Sequence, residues 1–186
     1  MIRHRLPKAR LILVEEKTEE LIRQLKNAQI DMALLALPVN DEFLQSETLF
    51  EDEFLLAVTT DHPLANHNSI EQADLAGRQL LLLDEGHCLR GQALQICQLN
   101  QADEQQDVRA TNLETLRQMV RAGTGIIFMP RIAIDKSDNG IRYIPFSSPA
   151  PSRSIGLVWR KTSTRGELIT EIFGLIKQVA TELSVT

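Results

Sequence analysis

Apolar positions in this chain follow two alternating rhythms. Short apolar runs at 10–15, 31–37, 54–58, 80–83, 126–129, 141–144 and 155–159 predict strands, since each is brief and bounded by turn-forming residues. Between them the spacing shifts to that of helices with one face inside. Thr18 stands at an N-cap position, followed by Leu21, Ile22 and Leu25 on one face. Leu89, Ala93, Ile96 and Cys97 form a second buried stripe. Thr111 with Glu114 predicts a capping box opening a helix that turns Leu113, Leu116, Met119 and Val120 inward and ends near Gly123. Residues 166–183 predict a terminal amphipathic helix carrying Leu168, Ile172, Leu175, Ile176 and Val179 on one side. Residues 70–75 read as a short helix, and the acidic, aperiodic stretch 100–107 as a mobile surface loop.

Strands alternating with helices predict an α/β fold with a mostly parallel sheet covered on both faces, opened by a β-α-β crossover over residues 10–37. Ligands of such folds gather beyond the carboxyl ends of strands, at helix N-termini. Thr18, Cys88 and Thr111 occupy such positions, and each also serves as an ordinary cap there.

Composition narrows the function. The 186 residues are 43% hydrophobic and 24% charged, enough for one domain or two small lobes. A formal net charge of −5 argues against this chain itself gripping a phosphate backbone. No run approaches the ~18 apolar residues of a membrane span. The basic start, Met1 to Lys8, is followed by too short an apolar segment, Leu11 to Val14, for a signal peptide. A cytoplasmic location is expected, where a permanent structural disulfide is uncommon.

Both cysteines lie in one segment, Gly86-His87-Cys88-Leu89-Arg90 through Cys97. A helix over it puts Cys88 at its N-terminal mouth beside His87 and Arg90, and Cys97 on its buried stripe. Nine residues of helix separate the sulfurs by roughly 13 Å, whereas a disulfide needs Cα atoms within about 7 Å. The two therefore join only if the segment unwinds. Positive potential favours a thiolate, the form that peroxide oxidises to a sulfenic acid with which a second thiol condenses. On this chemistry Cys88 reacts and Cys97 resolves. The competing reading makes both thiols inert small hydrophobes, His87 a loop residue and Arg90 part of a solvated face.

Other chemistry is thin. Phosphate-binding glycine loops, G-x-S-x-G, C-x-x-C and H-E-x-x-H are all absent, and His4, His62 and His67 are scattered. His62, His67 and Glu71 make at most a weak surface metal site. No metal, no cofactor and no enzymatic turnover are expected.

Gly86-His87-Cys88-Leu89-Arg90 with Cys97 resembles the redox segment of the OxyR-type, peroxide-sensing LysR-family transcriptional regulators. The likeness extends through Pro7-Lys8, Glu16-Lys17-Thr18, Asp61-His62-Pro63-Leu64-Ala65, Asp74-Leu75-Ala76-Gly77, Arg109 to Leu116, Ala122 to Ile126 and Arg153 to Val158. It implies a two-lobed fold like type 2 periplasmic binding proteins. Lobe I would hold residues 1–50 and 160–186 and lobe II 51–159, with crossovers near Phe50 and Trp159. Further implications are a homodimer or tetramer and a hydrogen peroxide pocket around Cys88. In it Thr18 and His87 would hold peroxide and Arg153 would stabilise the sulfur anion or its oxidised form. Arg160 matches a position linked to RNA polymerase. In such regulators DNA is bound by an N-terminal winged helix-turn-helix, which this chain lacks. The resemblance likewise places the first strand and helix of lobe I before the point matching Met1. The leading expectation is thus the sensor domain of a peroxide-responsive regulator, switched by a Cys88–Cys97 disulfide. The alternatives are a LysR-type effector domain with inert cysteines, binding a small organic ligand between its lobes, and a thiol peroxidase.

Overall fold

The structure, a computed structural model, describes residues 5–7, 10–135 and 137–184, the side chains of 106, 107 and 182–184 excepted. His4 and most of the basic N-terminus lie outside the described residues. In chain order the elements are α1 (Thr18–Lys26), β1 (Met32–Ala36), β2 (Leu44–Thr59), β3 (Gln79–Leu83), α2 (Cys88–Leu99), β4 (Asp103–Ala110), α3 (Leu113–Arg121), β5 (Ile127–Pro130), β6 (Ile141–Pro145), β7 (Ser152–Arg160) and α4 (Gly166–Ser184). The chain divides into two compact units, Met1–Glu51 with Ser154–Thr186, and Asp52–Arg153. It passes from one to the other inside β2 and inside β7, the second time upstream of Trp159.

In the first unit β1 runs antiparallel to β7, with Met32 opposite Trp159 and Ala36 opposite Ile155. Side chains of a strand alternate between faces, so Val158 joins Leu25, Ala33, Leu35 and Leu44 in one cluster while Leu157 joins Leu49 and Ile169 in another. Helix α1 supplies Leu25 to the first cluster and α4 supplies Ile169 to the second. Acidic Glu19 and Glu20 in the first turn of α1, with Arg23 and Lys26 in its last, suit the helix dipole.

The second unit has the same two-sided construction. In β3, Leu80 and Leu82 face a cluster holding Phe54, Leu56, Ala93, Ile96, Cys97 and Phe128. Leu81 and Leu83 face another, with Leu116, Val120, Ile127 and Met129. Helix α2 thus serves one side and α3 the other.

Several expectations are corrected. Residues 10–15 form no strand, and Leu11 to Val14 are exposed, since no neighbouring backbone among the described residues offers them a ladder. The β-α-β crossover is therefore absent. Most of the pairing is antiparallel rather than parallel: β1 with β7, and β2 with both β5 and β6, leaving β3 and β4 as the parallel pair. No α-helix intervenes from β5 through β6 to β7, so nothing forces those strands into one direction. Residues 103–107 of the acidic stretch, expected as loop, form strand β4 together with 108–110. Helix α3 is capped by Asn112, whose Oδ1 accepts from Thr115 N at 2.8 Å, instead of by Thr111. Thr18 is the first residue of α1 rather than its cap. Residues 70–75 contribute a 3-10 turn, Gln72–Leu75. None of the described helices is long and apolar enough to cross a membrane.

Gly156 in β7 shows how tightly the first unit is packed. A Cβ there would stand 2.7 Å from the carbonyl oxygen of Glu47 and 2.6 Å from a methyl of Leu37. Leu37 can rotate away, but the Glu47 oxygen belongs to strand backbone. Gly156→Ala should lower the urea midpoint by the equivalent of about 1–3 kcal/mol with an unchanged m-value. An unaltered midpoint would mean that β2 and β7 part freely.

Candidate functional site

Strand β3 ends in the turn Asp84-Glu85-Gly86, where Gly86 adopts φ 85°, a conformation readily open to glycine. His87 follows as an extended N-cap, half-buried, with its carbonyl accepting from Arg90 N at 3.0 Å. Cys88 is then the first residue of α2 and is exposed. Cys97 lies on the same unbroken helix and is 2% exposed, among Ala93, Ile96 and the β3 leucines. Both thiols are free. Nine helical residues hold them roughly 13 Å apart along the axis, well outside disulfide reach.

The two sulfurs also differ chemically. Burial pushes the Cys97 thiol up to about 11, with the charges of Asp103 and Glu104 acting in the same direction. At neutral pH about one molecule in ten thousand therefore carries a Cys97 thiolate.

Arg90, two residues beyond Cys88, has its guanidinium tied to β4 and β3. Nη1 and Nη2 donate to Glu104 Oε1 and Oε2 at 2.7 and 2.9 Å, and Nη1 also donates to the Leu83 carbonyl at 3.0 Å. This fork-to-fork pair is mostly enclosed, at 13% and 16% side-chain exposure. Arg90 holds the Glu104 carboxyl below the usual carboxylate range. The sequence reading missed Glu104 because it took 100–107 as a loop, and only the pairing of Leu80 with Glu104 brings that carboxylate to the helix.

Gln92 was also missed. It lies one turn beyond Cys88 on the same helix face, and its Oε1 is buried with no hydrogen-bond partner among the described residues. An unsatisfied buried acceptor is the signal that marks it, and no periodicity could reveal that.

Arg153 belongs to the same unit as His87, Cys88 and Cys97. Its Nε and Nη2 donate to Asp52 Oδ2 at 3.0 and 2.9 Å, and its guanidinium lies 5.7 Å from the ring centroid of Phe54, a member of the Cys97 cluster. The other Asp52 oxygen accepts from Ile132 N at 3.1 Å. Thr18 is in the other unit, at the start of α1. Arg160 is there as well, donating to the Ile30 carbonyl at 2.9 Å beside the end of α1. His62 Nδ1 accepts from Leu64 N, and Glu71 closes a capping box with Asp74. No group of three or more metal-ligating side chains occurs among the described residues.

An exposed and a buried cysteine on one helix of a two-unit α/β chain is the setting in which family membership becomes informative. Residues 1–181 match the LysR substrate binding domain, and the chain belongs to that family, with its two-lobed α/β fold. Within it, the chain is 43% identical over 165 residues to the DNA-binding transcriptional dual regulator OxyR of Escherichia coli K12, covering 88% of this chain and 54% of that protein. It is 36% identical over 181 residues to the probable hydrogen peroxide-inducible genes activator of Mycobacterium avium, covering 96% and 58%. The chain therefore spans about half the length of the curated relatives it matches. It superposes on the crystal structure of oxidized OxyR with a TM-score of 0.84 at 40% identity, and on the reduced form with 0.86 at 37%, each over 95% of this chain and 84% of the other.

The contrast between the thiols predicts their labelling. Iodoacetamide at neutral pH should alkylate Cys88 and spare Cys97, as mapped by peptide mass, with Cys97 labelling rising as the pH approaches 11. Because the folded value of Cys97 is raised, its burial stabilises the fold fully below the ordinary thiol range, and that contribution is lost as the pH rises toward 11. Equal labelling of both thiols at neutral pH would remove the asymmetry.

Proposed function

We propose that the chain is the sensor domain of a hydrogen-peroxide-responsive LysR-type transcription regulator in which Cys88 and Cys97 form a reversible switch. One observation carries this reading: an exposed thiol and a buried thiol stand near opposite ends of a single intact helix. The names of the relatives support it.

In the first step the Cys88 thiolate attacks one oxygen of hydrogen peroxide. The S–O bond forms as the O–O bond breaks, the sulfur loses two electrons, and hydroxide departs and is protonated to water. In the second step Cys97 gives up its proton and attacks the Cys88 sulfur. The S–S bond forms, the S–O bond breaks, and a second water leaves. Cys97 must leave its apolar cluster to do this, because burial keeps it protonated there. Unwinding of α2 brings the sulfurs together and also releases the second thiol for reaction. Each reduced chain consumes one peroxide, so the protein acts as a switch and not as an enzyme.

His87 and Thr18 would hold the peroxide, and Gln92 Oε1 would accept one of its hydrogens. Arg153, steadied by Asp52, would stabilise the sulfur anion or its oxidised form. DNA and RNA polymerase would be engaged only through the full-length protein, as a homodimer or tetramer in the cytoplasm, where a transient disulfide carries information.

Mass spectrometry after one equivalent of peroxide should record a loss of two hydrogens mapped to Cys88–Cys97. Cys88→Ser should abolish the reaction, and Cys97→Ser should leave a sulfenic acid that dimedone traps at Cys88. No reaction in the unaltered chain would favour an effector domain with inert cysteines. Sustained peroxide consumption with a thiol reductant would favour a peroxidase.

A further inference from the structure

We infer that Glu104 is a positioning residue: by clamping Arg90 it keeps the first turn of α2 wound, and so governs how fast Cys97 can reach an oxidised Cys88. The inference rests on the switch proposed above.

A Cys88–Cys97 disulfide encloses residues 89–96 in its loop, so Arg90 must move when the loop closes. In the wound helix Arg90 is tied to two other elements, through both Glu104 oxygens on β4 and the Leu83 carbonyl at the end of β3. The delivery of Glu104 is specific. It pairs with Leu80, after which the register slips so that Leu82 meets Arg109, leaving 105–108 on β4 opposite Leu81 alone. Arg109 Nε also approaches the carboxylate, at 3.8 Å.

Beyond that clamp the first turn of α2 has one apolar anchor, Leu89, half-buried against both core clusters. His87 gives no side-chain cap, and no acidic residue lies in that turn to oppose the helix dipole. Arg90 places a cation where the dipole disfavours one. Gly91 follows, in a helical position that glycine weakens relative to alanine. The other half of the helix is anchored differently, through Ala93, Ile96 and Cys97 in the core cluster. A polar clamp therefore holds the half of α2 whose apolar anchorage is a single half-buried leucine. Glu104 also lends negative potential to Cys97, so both consequences of its charge slow the second step.

The test follows two rates in the reduced chain after stoichiometric peroxide. Sulfenic acid formation is read by dimedone trapping in a Cys97→Ser background, and disulfide closure by mass with both cysteines present. Glu104→Gln keeps the side-chain shape and removes the charge. It should speed closure about fivefold while sulfenic acid formation stays within about twofold. Gly91→Ala, whose new Cβ would meet no heavy atom within 4 Å, should act oppositely and slow closure about threefold by strengthening the helix. Closure at the unaltered rate in Glu104→Gln, or both steps shifted by one common factor, would overturn the clamp. If Glu104→Gln does not fold, Gly91→Ala alone decides, and unchanged closure overturns the inference.

Failure of the sensor reading has a different signature, since Cys88 would then not oxidise in any variant. Amide hydrogen exchange in the reduced chain judges the clamp separately. Glu104→Gln should raise exchange about tenfold at residues 92–95, whose N–H groups bond to the first-turn carbonyls, and leave 97–99 little changed, and equal exchange in both proteins would overturn the clamp.

Discussion

A wound helix and a disulfide are incompatible demands on residues 88–97. The first sets the sulfurs roughly 13 Å apart and the second needs Cα atoms within about 7 Å, so the segment can satisfy one of them at a time. In the proposed switch this exclusion turns a chemical change at sulfur into a change of backbone. Much of the second unit bears on how firmly α2 stays wound. Its later turns bury Ala93, Ile96 and Cys97 against Leu82, Phe54 and Phe128, and its first turn is held by the Arg90–Glu104 pair and the half-buried Leu89. Opening from the Cys88 end releases one half-buried leucine, whereas opening from the Cys97 end empties the core cluster.

The difference between the thiols orders the events in the proposed switch. A thiol held up to about 11 is a poor nucleophile at neutral pH, so Cys97 attacks only after its surroundings have changed. Backbone opening must precede the S–S bond and cannot be its consequence. Cys88 needs no such rearrangement to meet a small oxidant, since it is already exposed. Sensing and shape change are thus separate steps in that switch, the first at an exposed sulfur and the second set by how firmly α2 stays wound.

The parts of the molecule legible in the sequence were those written in apolar side chains. The run Leu80–Leu83 marks β3, and the spacing of Leu89, Ala93, Ile96 and Cys97 marks the helix and the burial of its second sulfur. The quoted motifs carried the family as well, and the match over residues 1–181 bears that out. Polar pairing was not legible. Strand β4, Asp103–Ala110, has the composition of a loop and becomes a strand because β3 offers it a parallel edge, a case of tertiary context overriding propensity. With that strand missed, Glu104 was missed too, and with it the carboxylate that holds Arg90. Residues 10–15 failed in the opposite sense, having the composition of a strand without a ladder to join. Strand direction escaped because periodicity marks a strand without saying which way its neighbour runs.

Both arginines that the sequence places in the candidate chemistry are held by carboxylates, Arg90 by Glu104 and Arg153 by Asp52. The positive potential at the first helical residue then owes much to the unsatisfied N–H groups that any helix presents at its start. That potential exists only while the turn is wound, whereas in the proposed switch the second sulfur arrives only once the turn has opened. Further apolar anchorage in this turn would resist the second step. The Arg90–Glu104 pair and the half-buried Leu89 hold it through a few contacts, so the proposed closure has to release only those before the sulfurs meet.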